Sequence, residues 1–242
     1  LLNSYTNMEM SNEDTYIKAS LESYINLAQN NKKEIYEYVY PNVEFTKNIK
    51  LDPSYKGTLT FDSNGYHKKY STNSSDSIVI NNLEYQSFDH ILNNGLKNNF
   101  NLLVKNINTD GHNSTSNSNE VKNKLLGIIA FETSYPLEKK GTNFNSYMEP
   151  IASIRYSPTE TKNISNEDRR IDINNIFSKN RLSSNNTVEG GESITIGNTY
   201  KLTDKQNTQE YLSLSLASVF RAEENNDLPI KSTIGKKTSD IV

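Results

Sequence analysis

The chain of 242 residues is 33% hydrophobic and 23% charged, with a formal net charge of −3 and no cysteine. That balance excludes disulfide staples, thiolate metal centres and cysteine nucleophiles, and it supplies no basic stripe for general nucleic-acid binding. The apolar fraction is low for a soluble core, but 15 Tyr, 8 Phe and recurrent regular segments argue against disorder.

In chain order, the opening LLNSYTNMEM reads as a strand piece, as does the closing KKTSDIV, so the chain is expected to be a fragment of a longer protein. TYIKASLESYINLA puts Ile17, Ala19, Leu21, Ile25 and Leu27 on one face, with Lys18, Ser20, Glu22, Tyr24 and Asn26 on the other. EIYEYVYPNVEF alternates Tyr36, Tyr38 and Tyr40 against Ile35, Val39, Val43 and Phe45. PSYKGTLTFDS, SIVINNLEYQS, GLKNNFNLLVKNI, KLLGIIAFETSYPL, SYMEPIASIRYSP and TVEGGESITIGNTYKL follow. EYLSLSLASVF then closes the series, with Leu212, Leu214 and Leu216 opposite Ser213 and Ser215. About ten strands result, most of roughly 10–15 residues, where period two replaces any long helical period.

Soluble strands have a mode near 5–6 residues, whereas a tilted membrane-spanning strand needs about 9–11. No apolar run approaches the roughly 18–20 residues of a membrane helix. The connections also alternate in length. Those near 11–13, 48–52, 89–95, 137–144 and 204–208 are short, while those near 28–33, 72–75, 109–121, 159–186 and 222–233 lengthen along the chain. Outer-membrane barrels have this pattern, with short turns on one side and long loops on the other. The predicted fold class is therefore all-β, an antiparallel up-and-down transmembrane β-barrel sector. Residues 1–242 would form a partial outer-membrane barrel domain, with long outer loops near 109–121, 159–186 and 222–233. Leu21, Ile25, Leu212, Leu214 and Leu216 are the candidate lipid-facing residues. A soluble all-β binding module is the competing reading, and it requires those leucines to pack beneath a second sheet.

Catalytic and metal motifs are weak. His67, His90 and His112 lack ligand spacing, and His90 beside Asp89 makes a poor hydrolase pair. DSNG at 62–65 lacks the later Glu of a calcium loop and reads as a turn. EGGESITIG lacks phosphate-loop spacing, so Gly190 and Gly191 mark a bulge or a close backbone approach. No catalytic, cofactor-binding or metal residue is assigned. Lys18, Glu22, Glu149, Arg155, Glu189 and Arg221 fall on polar strand faces, either as an ordinary solvated face or as a lumen lining for a charged, sugar-bearing substrate. SNEDRRIDINNIFSKNRL mixes charges with apolar residues, which predicts a loop folded over or into the barrel through Arg169, Arg170, Ile173, Ile176, Phe177 and Arg181.

The segments EIYEYVYPNVEFTKNI, SYPLEKKG, MEPIASIRYSP, RRIDINNIFSKNRLSSNNTVEGGESITIGNTYKL and DLPIKSTIGKKTSDIV carry a family resemblance. The most specific part is a strand ending in RYSP, a long loop ending in NR, then NTVEGGESITIG. The chain resembles the C-terminal barrel of the LPS-assembly outer-membrane family, LptD (the organic solvent tolerance protein family), over roughly residues 13–242 and most strongly after 123. The resemblance implies a sector of a barrel of about 26 strands that inserts lipopolysaccharide into the outer leaflet of a Gram-negative outer membrane. It implies an LptE-type plug lipoprotein as partner, and a periplasmic bridge that delivers lipopolysaccharide to an N-terminal jellyroll domain. It implies no enzyme activity and no cofactor. The family's gate strands and disulfide cysteines have no counterpart in this chain. A passive porin or receptor barrel would share the strand and loop pattern.

Overall fold

A computed structural model describes residues 2–25, 36–70, 73–114, 120–181, 185–206 and 208–242. Its strands are β1 (Leu2–Ser11), β2 (Thr15–Ile25), β3 (Tyr36–Ile49), β4 (Gly57–Tyr70), β5 (Ser75–Ser87) and β6 (His90–Ile91). There follow β7 (Lys97–His112), β8 (Lys122–Ser134), β9 (Leu137–Lys140), β10 (Phe144–Ser157), β11 (Gly191–Asp204) and β12 (Glu210–Arg221). Pairing follows chain order along β1-β2-β3-β4-β5-β7-β8-β10-β11-β12, with the short β6 on β7 and β9 on β10. This is the all-β, antiparallel, up-and-down sheet that the alternation predicts. The ten strands of the path correspond to the ten read from sequence, and they run from 10 to 16 residues. Two single 3-10 turns, Pro53–Tyr55 and Thr233–Gly235, are the only helical pieces among the described residues. Leu27, Ile35 and the expected connection near 28–33 lie outside the described residues, as do parts of those near 72–75, 109–121 and 159–186.

Short Asn and Asp side chains staple the tight connections, because they accept from backbone N–H groups two or three residues on. Asn12 Oδ1 accepts from the N–H of Asp14 at 3.1 Å and of Thr15 at 2.9 Å. Asp52 Oδ1 accepts from Ser54 N–H at 2.9 Å, and Asp204 Oδ1 from Gln206 N–H at 2.7 Å. Asn94 does the same for Leu96 at 3.1 Å, beside Gly95 at φ +89°.

The chain divides into two compact units, Leu1–Tyr85 with Leu103–Leu125, and Gln86–Leu102 with Leu126–Val242. In the first, opposed residues of antiparallel neighbours share a face. Met8, Ala19, Val43 and Gly65 thus form one row, and Met10, Ile17, Phe45 and Ser63 the next. Leu21 and Ile25 on that side are 52% and 53% exposed.

Two expectations are corrected in this unit. The alternation through 36–45 breaks, because the register shifts between Val39 and Asn42. Val39 opposes Glu22 and is buried, whereas Val43 opposes Ala19, so the two valines take opposite faces. Pro41 sits at the shift, where a residue without an N–H is tolerated. DSNG at 62–65 is not a turn but the middle of β4, where Asp62 opposes Thr46 and accepts its hydroxyl at 2.8 Å. In β5 and β7 apolar residues lie on both faces, with Asp76 and Lys105 also on the buried one. Ile78, Ile80, Leu103 and Ile107 are buried, while Val79, Leu83 and Val104 are exposed.

In the second unit the register builds a continuous apolar surface. Phe131, Ile154, Ile194 and Phe220 form one row across β8, β10, β11 and β12. Toward the other end of the strands, Leu216 opposes Asn198, Leu214 opposes Tyr200 and Leu212 opposes Leu202. Leu212, Leu214 and Leu216 are 47%, 51% and 49% exposed, and no second sheet layer buries them. The opposite side of the same strands is polar and largely buried, carrying Ser153, Arg155, Ser193, Thr195 and Arg221.

Candidate functional site

The register that exposes the aliphatic rows also fixes what lies on the other face. Ala130, Arg155, Ser193 and Arg221 form one row, and Glu132, Ser153, Thr195 and Val219 the adjacent one. Two arginines therefore stand on either side of a serine, their Cα atoms about 10 Å apart at the usual strand spacing. The described parts of the connection between β10 and β11, residues 158–181 and 185–190, bring Arg181 and Glu189 to the row.

Glu189 is the centre of the arrangement and is fully buried. Arg181 donates from Nε to Oε2 at 2.8 Å and from Nη2 to Oε1 at 2.5 Å, a bidentate fork. The same guanidinium reaches the sheet, donating to Ser193 Oγ at 2.7 Å and to Thr195 Oγ1 at 3.1 Å. Arg221 Nη1 also donates to Glu189 Oε1, and its Nη2 donates to the Gly190 carbonyl at 2.5 Å. Arg155 contributes Nε to the Lys179 carbonyl at 2.7 Å. Burial pushes the Glu189 carboxyl up, but the guanidiniums of Arg181, Arg155 and Arg221 outweigh it and hold the group below the usual carboxylate range.

The neck of the loop is tied just above this cluster. Thr161 Oγ1 accepts from Gly190 N–H at 2.8 Å, and Thr187 Oγ1 accepts from Lys162 N–H at 2.9 Å. A Cβ on Gly190 would collide with the Thr159 carbonyl oxygen, so the close approach expected of this glycine is met. Farther along, Ile176 is buried against Ala217 and Val219, with Phe177 packed beside them. Gly197 makes room for that ring, since a Cβ there would lie 2.7 Å from Phe177 Cζ.

A second layer closes over the loop. Ile164 clusters with Leu228 and Ile234, and Ile171 packs against them. Ile164 N–H donates to the Asp227 carbonyl at 2.9 Å, and Ile230 N–H to that of Ser165 at 3.0 Å. The chain then returns along the edge of β12. Ala217 and Val242 exchange both backbone bonds at 3.0 Å, and Ser239 N–H donates to the Val219 carbonyl at 2.9 Å. Between the strand ends, Glu160, Glu192, Glu223, Glu224 and Asp227 line a cleft of about 660 Å³. Among the described residues no group of three or more His, Cys, Asp or Glu side chains is placed to hold a metal ion.

Of the polar candidates, Arg155, Glu189 and Arg221 are brought together. Glu149 lies six residues before Arg155 on β10 and accepts from Ser134 Oγ at 2.8 Å and Tyr147 Oη at 2.6 Å. Lys18 and Glu22 belong to the first unit, where Glu22 accepts from Tyr24 Oη at 2.5 Å and Ser20 Oγ at 3.1 Å. Of the loop candidates, Ile176, Phe177 and Arg181 face the sheet. Arg169 and Arg170 instead pair with Glu167 and Asp168 at the surface, at 2.5 and 3.4 Å, and Ile173 is exposed. Sequence reasoning missed Ser193 and Thr195, although their shared parity with the arginine rows was visible. It also missed Ile164, Leu228 and Ile234, whose partners are too distant in sequence for periodicity to reveal.

Among models of protein families, the one described as LptD, LPS transport system D, matches residues 1–242. No curated protein matches the chain.

Proposed function

The chain belongs to the LPS transport system D family, and from that premise we propose that it forms part of the wall of the outer-membrane translocon that inserts lipopolysaccharide into the outer leaflet. On this reading the rows of Phe131, Ile154, Ile194 and Phe220 and of Leu212, Leu214 and Leu216 face lipid, as do Leu21 and Ile25. The opposite face lines the lumen, with Lys18, Glu22 and Glu149 toward the passage. Arg155, Glu189 and Arg221 hold the 158–190 segment against that wall. The connections near 109–121, 159–186 and 222–233 lie outside the cell, and a plug lipoprotein and a periplasmic bridge complete the machine.

The observation that carries the reading is a one-sided row of apolar residues in register across four strands, exposed on β10, β11 and β12 and backed by a polar face. Water gives such a surface no stable resting place, while hydrocarbon does. Every backbone group of the spanning region must pair with a neighbour in lipid, and a continuous antiparallel ladder supplies those pairs.

The test compares Leu214→Arg with Ser215→Arg in the full protein that contains this chain. A cation facing lipid at mid-depth costs about 2–4 kcal/mol, whereas one facing an aqueous lumen costs little. Leu214→Arg is expected to reduce the folded, heat-modifiable form in the outer membrane and the delivery of lipopolysaccharide to the surface. Ser215→Arg should leave both near the parent level. Equal tolerance of the two would overturn the assignment of faces.

A further inference from the structure

At the loop ends of β10, β11 and β12, two rows of residues frame a groove of about 490 Å³. Ile154, Ile194 and Phe220 make the first row, and Tyr156 opposes Glu192 in the second. Ala222 continues the second row, its N–H donating to the Glu192 carbonyl at 3.3 Å. Ile154, Tyr156, Ile194 and Phe220 stay exposed, so the groove is open and its walls are apolar. It runs into the acidic cleft of about 660 Å³, because Tyr156, Glu192, Arg221 and Ala222 border both. Each volume falls within the range of about 300–1,000 Å³ usual for small-molecule sites.

The charge at the mouth has one sign. Glu160, Glu192, Glu223, Glu224 and Asp227 line the cleft. Among the described residues only Glu224 of these five has a cation within salt-bridge distance, Lys236 at 3.9 Å. Arg221, the one basic residue among the described lining, is committed to Glu189 and to the Gly190 carbonyl. Carboxylates of one sign around a concavity raise the local concentration of cations. Among the described residues no three acids converge as metal ligands, so the charge is spread along the cleft rather than gathered on one ion.

We propose that groove and cleft together bind a cationic amphiphile. An alkyl chain lies along the groove between Ile154, Ile194, Phe220 and Tyr156, and an ammonium headgroup sits among the carboxylates, with Glu192 at the junction. The apolar walls take up a chain of any amphiphile, while the unpaired acids at the mouth favour a positive head over a neutral one and repel an anionic one. The proposal rests on the second unit alone and not on the transport reading.

The experiment uses the full protein that contains this chain, purified in a nonionic detergent. The probe is a dodecyl chain with a trimethylammonium head and a photoreactive diazirine at its far end, and labelled peptides are mapped by mass spectrometry. The same chain carrying a maltoside or a sulfate head serves for comparison. The cationic probe should label peptides containing Ile154, Ile194 or Phe220 saturably and ahead of the other two. Added sodium chloride should weaken that labelling, since exposed charges are screened. Glu192→Gln and Glu223→Gln change exposed side chains. Each should weaken binding by about two- to fivefold, the range of an exposed ion pair. Ala222→Trp, which obstructs the groove and keeps every carboxylate, should abolish the labelling. Equal labelling by the three heads overturns the proposal, as does labelling that survives all three substitutions. Displacement of the probe by tetramethylammonium or magnesium ion as readily as by dodecyltrimethylammonium also overturns it, because the chain would then contribute nothing.

Discussion

Removing the carboxylate of Glu189 would leave the guanidiniums of Arg155, Arg181 and Arg221 facing one another under the loop. Breaking one member of a buried pair costs about 3–5 kcal/mol, because the partner charge stays buried and uncompensated. Glu189→Gln is therefore expected to free residues 158–190 at neutral pH, seen as faster protease cleavage there. The pH dependence has a definite sign. Glu189 is held below the ordinary carboxylate range in the folded chain. Its contribution is therefore complete above about pH 4.3, the unperturbed value, and is lost only as pH falls through the depressed folded value. The parent loop should stay protected at pH 5 and loosen only in stronger acid, whereas the Gln variant should show no such transition. A protected loop that opened between pH 6 and 5 would contradict the charge arrangement.

At the scale of the element, the loop and the strands beneath it differ in how much they bury. Residues 158–190 hold to the sheet through Ile176, Phe177 and one polar cluster, while β10, β11 and β12 share a continuous ladder. Ile176→Ala should cost about 2–5 kcal/mol, nearly all of it to the loop. Hydrogen exchange checks this. The amides of Ile176 and Ser178, bonded to the carbonyls of Asp172 and Asn175 at 3.0 and 2.9 Å, should lose protection. Those of Ile194 and Ile196 in β11 should not. The strands were legible in sequence because alternation is a local signal, and each of the ten segments overlaps its strand, although β4 runs on to Tyr70 and β7 to His112, where the segments read from sequence stop at Ser63 and Ile107. Local signals failed where the register shifted. The register shift at Pro41 reversed the parity of Tyr38 relative to Val43, and the turn-like DSNG was overruled by the pairing of β4 with β3 and β5. The charged candidates were half legible: parity placed Arg155 and Arg221 on one face, but which loop residue would meet them depends on contacts that no period encodes. Arg169 and Arg170 had the right chemistry and paired locally instead.

For the whole molecule, the governing quantity is the apolar surface left uncovered. Leu212, Leu214, Leu216, Ile194, Ile196, Ile154 and Ile129 are all exposed in one unit, and Leu21, Ile25, Val79 and Leu83 in the other. Contiguous surface of this kind drives association in water at roughly 25 cal/mol per Å² covered. The chain expressed alone should therefore scatter light as large particles in detergent-free buffer and disperse above the critical micelle concentration. A stable monomer in plain buffer would speak against the lipid-facing role. The clasp between Ile164 and Leu228 with Ile234 has a consequence of a different kind. Two stretches of chain separated by a pair of strands complete each other's packing, so they form a single unit of inheritance. A related gene that donated one stretch without the other would deliver half a fastening, and change at this surface is expected to arise in matched pairs.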